Sequence, residues 1–442
     1  MYNYDVIVCG GGTAGVMATI AAAKGGAKTL VIEQYGNLGG TAVSGIPFLG
    51  IYDGNDERVN GGLVEELVER MKKENGTLDG VFGATWNDGK YRFSITPFDE
   101  EIYKYVIQEM ILEAGAEILF YSFISDVTTE GRNIKSVEVV NKSGKREYTA
   151  KVFIDTTGDA DVAFRAGVAM VEKSSVQNAS ILFKVGNVNN HRFLEALETG
   201  KGIAGWGQWH TRVLKGKRLN SDEIGPVHMA GHIIAGEGRE ITFTAVSIYD
   251  GEVSLNATRT INIHGGSAES LTEGEISERR HIHEIMATLR DNVPGFENAH
   301  IIASAPIGIR ESRNIDGRYR LEQEDVLSGR QFCDSVARGA YPIDRHDPKG
   351  GRTQFAFIEG CGSYSIPFRA MLPKEYDNLL VAGRCVSASH IAMGSARIMG
   401  AAMSQGQAAG TAAAIAISDN VPVCEVNIAK LQEKLTSDGA LI

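Results

Sequence analysis

Cysteine is scarce in this chain of 442 residues, and the five present (Cys9, Cys333, Cys361, Cys385 and Cys424) are odd in number, scattered and without a C-x-x-C pair. That argues against a built-in redox disulfide or a zinc knuckle and suits a reducing cytoplasm. Positive charge is also short. Forty-four Lys and Arg against 55 Asp and Glu leave a net charge of -11, which disfavours nucleic acid as a main partner, because phosphate backbones are held chiefly by Lys and Arg. Long apolar runs are missing too. The longest, Ala401 to Ile417, is Ala-rich and broken by Ser404, Gln405 and Gln407, so it reads as a packed helix and no membrane segment is expected. Met1 leads almost directly into an apolar run containing Asp5, so no signal segment is expected and the expected location is cytoplasmic. The trio His281, His283 and Glu284 would suggest a metal, but residues two apart point in different directions on a helix, and no metal is expected.

What is present begins at the amino terminus. The run Tyr4-Asp5-Val6-Ile7-Val8-Cys9 ends in Gly10-Gly11-Gly12-Thr13-Ala14-Gly15, with the spacing G-x-G-x-x-G, and an Ala-rich helical run to Lys24 follows. A buried strand that breaks into glycines and then a helix lets a pyrophosphate reach backbone N–H groups that side chains would block. Gly10, Gly12, Thr13, Ala14 and Gly15 are therefore expected to bind a dinucleotide. A second apolar strand, Lys28 to Ile32, is followed by Glu33, 18 residues after Gly15 and close to the separation of about 20 expected for the carboxylate that accepts ribose hydroxyls. Glu33 would repel a 2′-phosphate, which leaves FAD and NAD.

The rest of the pattern is α/β. Amphipathic helices are expected over Gly62 to Glu74 and Asp99 to Ala114, with Asn75 to Thr96 an irregular excursion between them. Strand-like runs at Glu117 to Phe120, Ile124 to Thr129, Ile134 to Asn141 and Arg146 to Ala150 suggest a small antiparallel meander. Lys151 to Ile154, ending in Asp155-Thr156-Thr157-Gly158-Asp159, reads as a return to a parallel sheet. From about 171 to 373 longer strands and one strong helix, Thr272 to Leu289, indicate an inserted α+β substrate domain. The nucleotide pattern resumes in Asn378-Leu379-Leu380-Val381-Ala382-Gly383-Arg384, followed by a Gly/Ala-rich helix from about Ser395 to Ile417. The expected first domain is thus discontinuous, 1–170 and 374–442, a Rossmann-like unit with a central parallel sheet and a meander, and 171–373 is the cap.

Apolar strands run into Gly-rich turns at residues 10, 158 and 383, more junctions than a short NAD domain needs, and an extended FAD spans them better. These segments resemble the FAD-dependent oxidoreductases of the glutathione-reductase-like superfamily, near the fumarate-reductase flavoprotein and thiazole-synthase-like branches. The resemblance rests on Val8 to Gly15, Glu33 with Leu38-Gly39-Gly40-Thr41, Ile154 to Asp161, Gly308-Ile309-Arg310-Glu311-Ser312-Arg313 and Asn378 to Gln407, and so covers nearly the whole chain. It implies that Gly39, Gly40 and Thr41 contact the FAD diphosphate or ribityl chain. It also implies that Ser395, Ala396, Arg397, Ile398 and Met399 lie under the flavin pyrimidine edge, where a helix N-terminus stabilises negative charge on the reduced ring. Val127, Thr157, Gly158, Asp161, Gly383 and Arg384 complete the expected cofactor contacts. Arg384 stands where many relatives carry an acid. Leu38 stands where succinate- and fumarate-type enzymes attach FAD to His, so noncovalent FAD is expected.

A flavin carries hydride chemistry, and the protein must position a substrate and move a proton. His390, between the late strand and the flavin-facing helix, is the best-placed titratable group, competing with a structural role. Arg310 and Arg313 flank Glu311, and either could hold a substrate carboxylate or pair with Glu311 in a structural network. Tyr364 and His264 are weaker candidates. The expected function is hydride transfer between a small organic substrate and FAD. No second strand-linked G-x-G-x-x-G offers an NAD(P)H site, so a separate electron acceptor or donor is expected; a homo-oligomer is left open. The alternatives are an NAD-dependent dehydrogenase and a thiazole-synthase-like protein that binds a dinucleotide without redox turnover.

Overall fold

The computed structural model describes residues 2–86, 89–200, 202, 212–219, 224–234, 240–346 and 353–442. Met1 and residues 87–88 of the expected excursion lie outside these. Its main sheet has the strand order Glu117–Leu119, Thr29–Ile32, Tyr2–Cys9, Gly144–Asp155, Asn133–Asn141 and Phe123–Glu130, with Leu379–Val381 beside the end of Gly144–Asp155. The first four strands and Leu379–Val381 pair in parallel, while Asn133–Asn141 and Phe123–Glu130 pair antiparallel.

The unbroken apolar run Val6 to Cys9 follows from burial on both faces. Val6 and Val8 enter the core shared with the helices, while Ile7 and Cys9 enter the opposite core with Val137, Val139 and Ala160. The helices Thr13–Lys24 and Met399–Asp419 pack almost backbone to backbone. A Cβ on Gly406 would fall 2.0 Å from the Ala14 carbonyl oxygen, and one on Gly410 would fall 2.2 Å from that of Ala18. The Gly/Ala composition of the late helix is what permits that approach.

Several expected elements differ in detail. Glu117–Leu119 pairs in parallel with Thr29–Ile32 and so belongs to the parallel sheet rather than the meander. Arg146 to Ile154 is one strand, Gly144–Asp155, whose first half closes the meander and whose second half joins Tyr2–Cys9. The excursion, expected to be irregular, contains a hairpin, Val81–Trp86 with Tyr91–Ile95, whose aromatic residues favour strand. The single helix expected from Ser395 is two, His390–Ala396 and Met399–Asp419. Ile398 between them is extended, and residues 397–399 at this break line a cavity.

A second, wholly antiparallel sheet has the order Arg212–Lys217, Ile224–Ile234, Glu240–Val246, Glu252–Asn256, Phe183–Gly186 and His300–Ser304. The first two strands and the helix Asn190–Thr199 were not among the elements expected from the sequence. Ala268–Asn292 covers the sheet with Ile282, Ile285, Met286 and Leu289. Residues between 315 and 373 instead add Leu321, Phe332, Ile366 and Leu372 to the core that holds Val6.

Candidate active site

The three Gly-rich junctions meet at the carboxyl ends of the parallel strands, where open α/β sheets bind ligands. At the first, Gly10 has φ of 100° and a Cβ there would strike the Thr156 carbonyl oxygen at 2.7 Å, while one on Gly15 would lie 1.9 Å from the Gly10 carbonyl oxygen. These two glycines make the turn close. Gly12 differs: it precedes Thr13–Lys24 with ordinary extended angles, and a Cβ on it would meet nothing within 4 Å. It faces open cavity at a helix N-terminus with no side-chain cap and no acidic residue in its first turn, a cradle for an anionic group.

The segment expected beside it is pinned there. Gly39 N–H donates to the Gly11 carbonyl at 2.8 Å, and a Cβ on Gly40 would lie 3.1 Å from Gly12 Cα. Glu33 is buried, its Oε2 accepting from Gly11 N–H at 2.7 Å and its Oε1 from Tyr35 N–H at 2.9 Å. Burial raises its pKa, opposed by those backbone donors. Two bound N–H groups leave further carboxylate lone pairs for hydroxyl donors.

At the second junction buried Asp155 accepts from Thr157 and from Ala163 N–H, fixing the turn, and burial raises its pKa. At the third, Gly383 N–H donates to Gln405 Oε1 at 2.9 Å. Arg384 reaches across to the second turn, with Nη1 3.5 Å from Asp159 Oδ1, and leaves no room for a side chain at Gly158.

One cavity of about 1200 Å³ joins these turns to the antiparallel sheet. It exceeds the roughly 300–1,000 Å³ of an ordinary small-molecule pocket. Of the residues singled out in the sequence, Gly10, Gly12, Thr13, Ala14, Glu33, Gly40, Thr41, Thr157, Gly158, Asp161, Gly383, Arg384, Arg397, Ile398 and Met399 line it, as do Arg310 and Arg313. Gly15, Gly39, Val127, Ser395, Ala396 and His390 do not. Gly15 and Gly39 shape the turns; Val127 packs on the meander core while Ser122, Phe123 and Ile124 face the cavity. Ser395 is buried, donating to the Tyr341 carbonyl at 2.6 Å and lying 2.9 Å from the Tyr364 hydroxyl.

His390, the favoured titratable group, turns away from the cavity, with Nδ1 2.7 Å from Glu311 Oε2. Glu311 also faces Lys173 at 3.3 Å and accepts from Gln177 N–H at 3.3 Å. Burial works to raise the Glu311 pKa, but His390 and Lys173 outweigh it and hold the carboxyl below the usual range. The three side chains form a structural lock between segments. Arg313 is also engaged, donating to the Asp159 carbonyl at 2.9 Å and to Asp161 at 2.6 Å while stacking on Phe164. His264 is exposed, and His281, His283 and Glu284 lie along Ala268–Asn292.

Arg310 reaches into the far end of the cavity. Its Nη1 donates to the Asn178 carbonyl at 2.7 Å and to Ser180 Oγ at 2.8 Å, and burial, followed by the charge of Arg397, lowers its pKa to about 9. Beside it stand Arg397, Asp344 and His346, all lining the cavity. His346 Nε2 lies 3.4 Å from Asp344 Oδ1 and Nδ1 3.2 Å from Thr353 Oγ1. Burial, then the Arg310 charge, pushes the His346 pKa down to about 4, so the ring is neutral near pH 7. The Asp344-Arg345-His346 segment went unnoticed in the sequence because it spans the end of a three-residue strand, Ile343–Arg345, and the residue after it, with no motif or period. Trp86, Phe93, Tyr341 and Phe355 wall this end, and Trp86 packs on Phe355 with ring centres 4.2 Å apart.

No helix among the described residues is long and apolar enough to cross a membrane. A family model described as FAD dependent oxidoreductase matches residues 5–435. The tRNA uridine 5-carboxymethylaminomethyl modification enzyme of Campylobacter fetus subsp. fetus is 32% identical over 165 residues, 35% of this chain and 24% of that protein. The match thus spans about a quarter of that relative. Among solved structures, a geranylgeranyl bacteriochlorophyll reductase-like protein from Thermoplasma acidophilum aligns with 99% of this chain and 84% of its own, at 14% identity and a TM-score of 0.52. The p-nitrophenol 4-monooxygenase of Pseudomonas putida aligns over the same shares at 11% identity and a TM-score of 0.50. Both are likenesses of fold.

Proposed function

We propose, for a chain that belongs to the FAD dependent oxidoreductase family, that it transfers a hydride between a small organic molecule and noncovalently held FAD, a separate electron acceptor or donor completing the turnover. The observation that carries this reading is the single cavity running from the Gly12 cradle to Arg310 and His346. The residues present fit the cofactor. Thr13–Lys24 offers its N-terminus to a diphosphate across Gly12, Glu33 faces the ribose end, and Gly40, Thr41, Thr157, Gly158, Gly383 and Arg384 border the middle. Ile398 and Met399 open the late helix at the ring end, where its positive N-terminus favours negative charge. Bound there, FAD supplies the hydride acceptor or donor.

Leu38 supports noncovalent attachment. It is buried against Gly11, whose Cβ would meet it at 2.4 Å, and it has no nucleophilic atom. His346, rather than His390, is the proton carrier in this reading: it lines the cavity, is neutral, and has Asp344 beside it as a counter-charge if protonated.

The test is the visible spectrum of the purified protein, followed by anaerobic bleaching with hydroxy acids, sugars and amines. Flavin bands that bleach with one of these classes support the reading; a colourless protein that cannot be loaded with FAD, or bands no substrate or reductant alters, would sink it.

A further inference from the structure

Two arginines converge at the aromatic-walled end of the cavity from different parts of the chain. Arg310 follows the strand His300–Ser304, and Arg397 sits in the break between His390–Ala396 and Met399–Asp419. Neighbouring residues anchor both: Arg310 Nη1 donates to the Asn178 carbonyl, and Arg397 Nη2 lies 3.5 Å from Gln177 Oε1. Anchored guanidinium groups lose little freedom when they take up a ligand.

Their acidic neighbour does not absorb their full donor capacity. Asp344 Oδ2 is 3.7 Å from Arg397 Nη2, too long for a hydrogen bond, although the Asp344 carbonyl accepts from that nitrogen at 3.4 Å, and Arg310 Nη2 reaches Asn256 Oδ1 at 3.4 Å. Arg397 Nε is buried with no hydrogen-bond partner among the described residues. A buried guanidinium with an orphaned donor is costly unless an acceptor joins it. Arg397 Nε itself is closed off, but both residues line the cavity, which has room for an acceptor on their outer nitrogens, and the aromatic wall leaves an apolar place for whatever bears it.

We propose that Arg310 and Arg397 together hold the carboxylate of a small substrate whose apolar or aromatic body lies against Trp86, Phe93 and Phe355. This names the substrate class of the reaction site and rests on the reading that this cavity is that site. A planar carboxylate matches the guanidinium fork, accepting from both residues at once. An anion there also offsets the Arg310 charge which, after burial, is the largest influence depressing His346, so ligand binding makes His346 a better proton acceptor.

Calorimetry and flavin difference spectra on the holoprotein test this with phenylacetate, phenylacetamide and benzylphosphonate. Phenylacetate is expected to bind at least about tenfold more tightly than the amide, the factor set by one charge-assisted hydrogen bond. R310Q and R397Q are each expected to weaken phenylacetate by about tenfold or more while leaving the amide unchanged, with R397K in between. Flavin content measured alongside shows that the variants are folded, and the acid–amide comparison needs no variant. Equal binding of acid and amide, no binding of any probe, or unchanged phenylacetate affinity in both glutamine variants would overturn the proposal. Tighter binding of benzylphosphonate than of phenylacetate would also overturn it, assigning the pair to a phosphoryl group. A protein without flavin that still binds phenylacetate through these arginines would defeat the proposed function and leave this site standing.

Discussion

The two ends of the cavity are built from different materials. The end around Gly12 is made of backbone: three strand ends, a helix N-terminus and glycines whose missing side chains allow a close approach. The end around Arg310 is made of side chains from four separated stretches, Gln177 to Ser180, Ile309 to Arg310, Asp344 to His346 and Arg397. A backbone-built site leaves a spacing in the sequence because the chain must turn at fixed positions. A side-chain-built site leaves none, because its members meet only after folding.

The comparison breaks most visibly at Gly12. Gly12→Val points its side chain into open cavity and should leave the fold intact while flavin retention falls on the order of 100-fold, a loss of about 2–3 kcal/mol. Flavin content of the purified variant reads this, and normal content would contradict the placement of the diphosphate. Gly15→Val, facing the Gly10 carbonyl at 1.9 Å, should instead prevent folding, so the soluble yield separates a ligand-facing glycine from a structural one.

His346→Asn sharpens the other end. Flavin content should be normal, while the rate of anaerobic reduction by a substrate falls about 100-fold or more, the usual range for a lost general base. An unchanged rate would return the proton to another group. His390→Asn should do the reverse, leaving the reduction rate within a few-fold but lowering stability by about 1–3 kcal/mol, because Glu311 loses a close polar partner while buried. Chemical denaturation measures that.

Acidification reads the same end of the cavity through stability. The unfolded chain protonates His346 near its ordinary 6.5 but the folded protein only at about 4, so the unfolded state binds more protons between those values and stability falls as pH drops through that window. Glu311, held below its ordinary 4.5, contributes stability that is present above that value and lost as pH falls through its lowered one. His346→Asn should flatten the upper window and leave the lower one.

This contrast also explains what could be read from the sequence. Gly10, Gly12, Glu33, Gly158 and Gly383 declared themselves through strand–glycine junctions, and the discontinuous sheet followed from the late Leu379–Val381 run. His390 misled because proximity in sequence to the late helix does not fix the direction of a side chain; at the first position of His390–Ala396 it turns to Glu311. Asp344 and His346 were silent, one on a strand too short for a period and the other just past its end. Arg397 drew notice only as a cofactor neighbour, and its meeting with Arg310 depends on the break before Met399.

The most direct measurement is the absorption spectrum of the purified wild-type protein before and after acid precipitation. Visible flavin bands that move wholly into the supernatant, identified there as FAD, are the expected result. A colourless protein that takes up no FAD would contradict the cavity's assignment, and flavin left in the pellet would contradict noncovalent attachment.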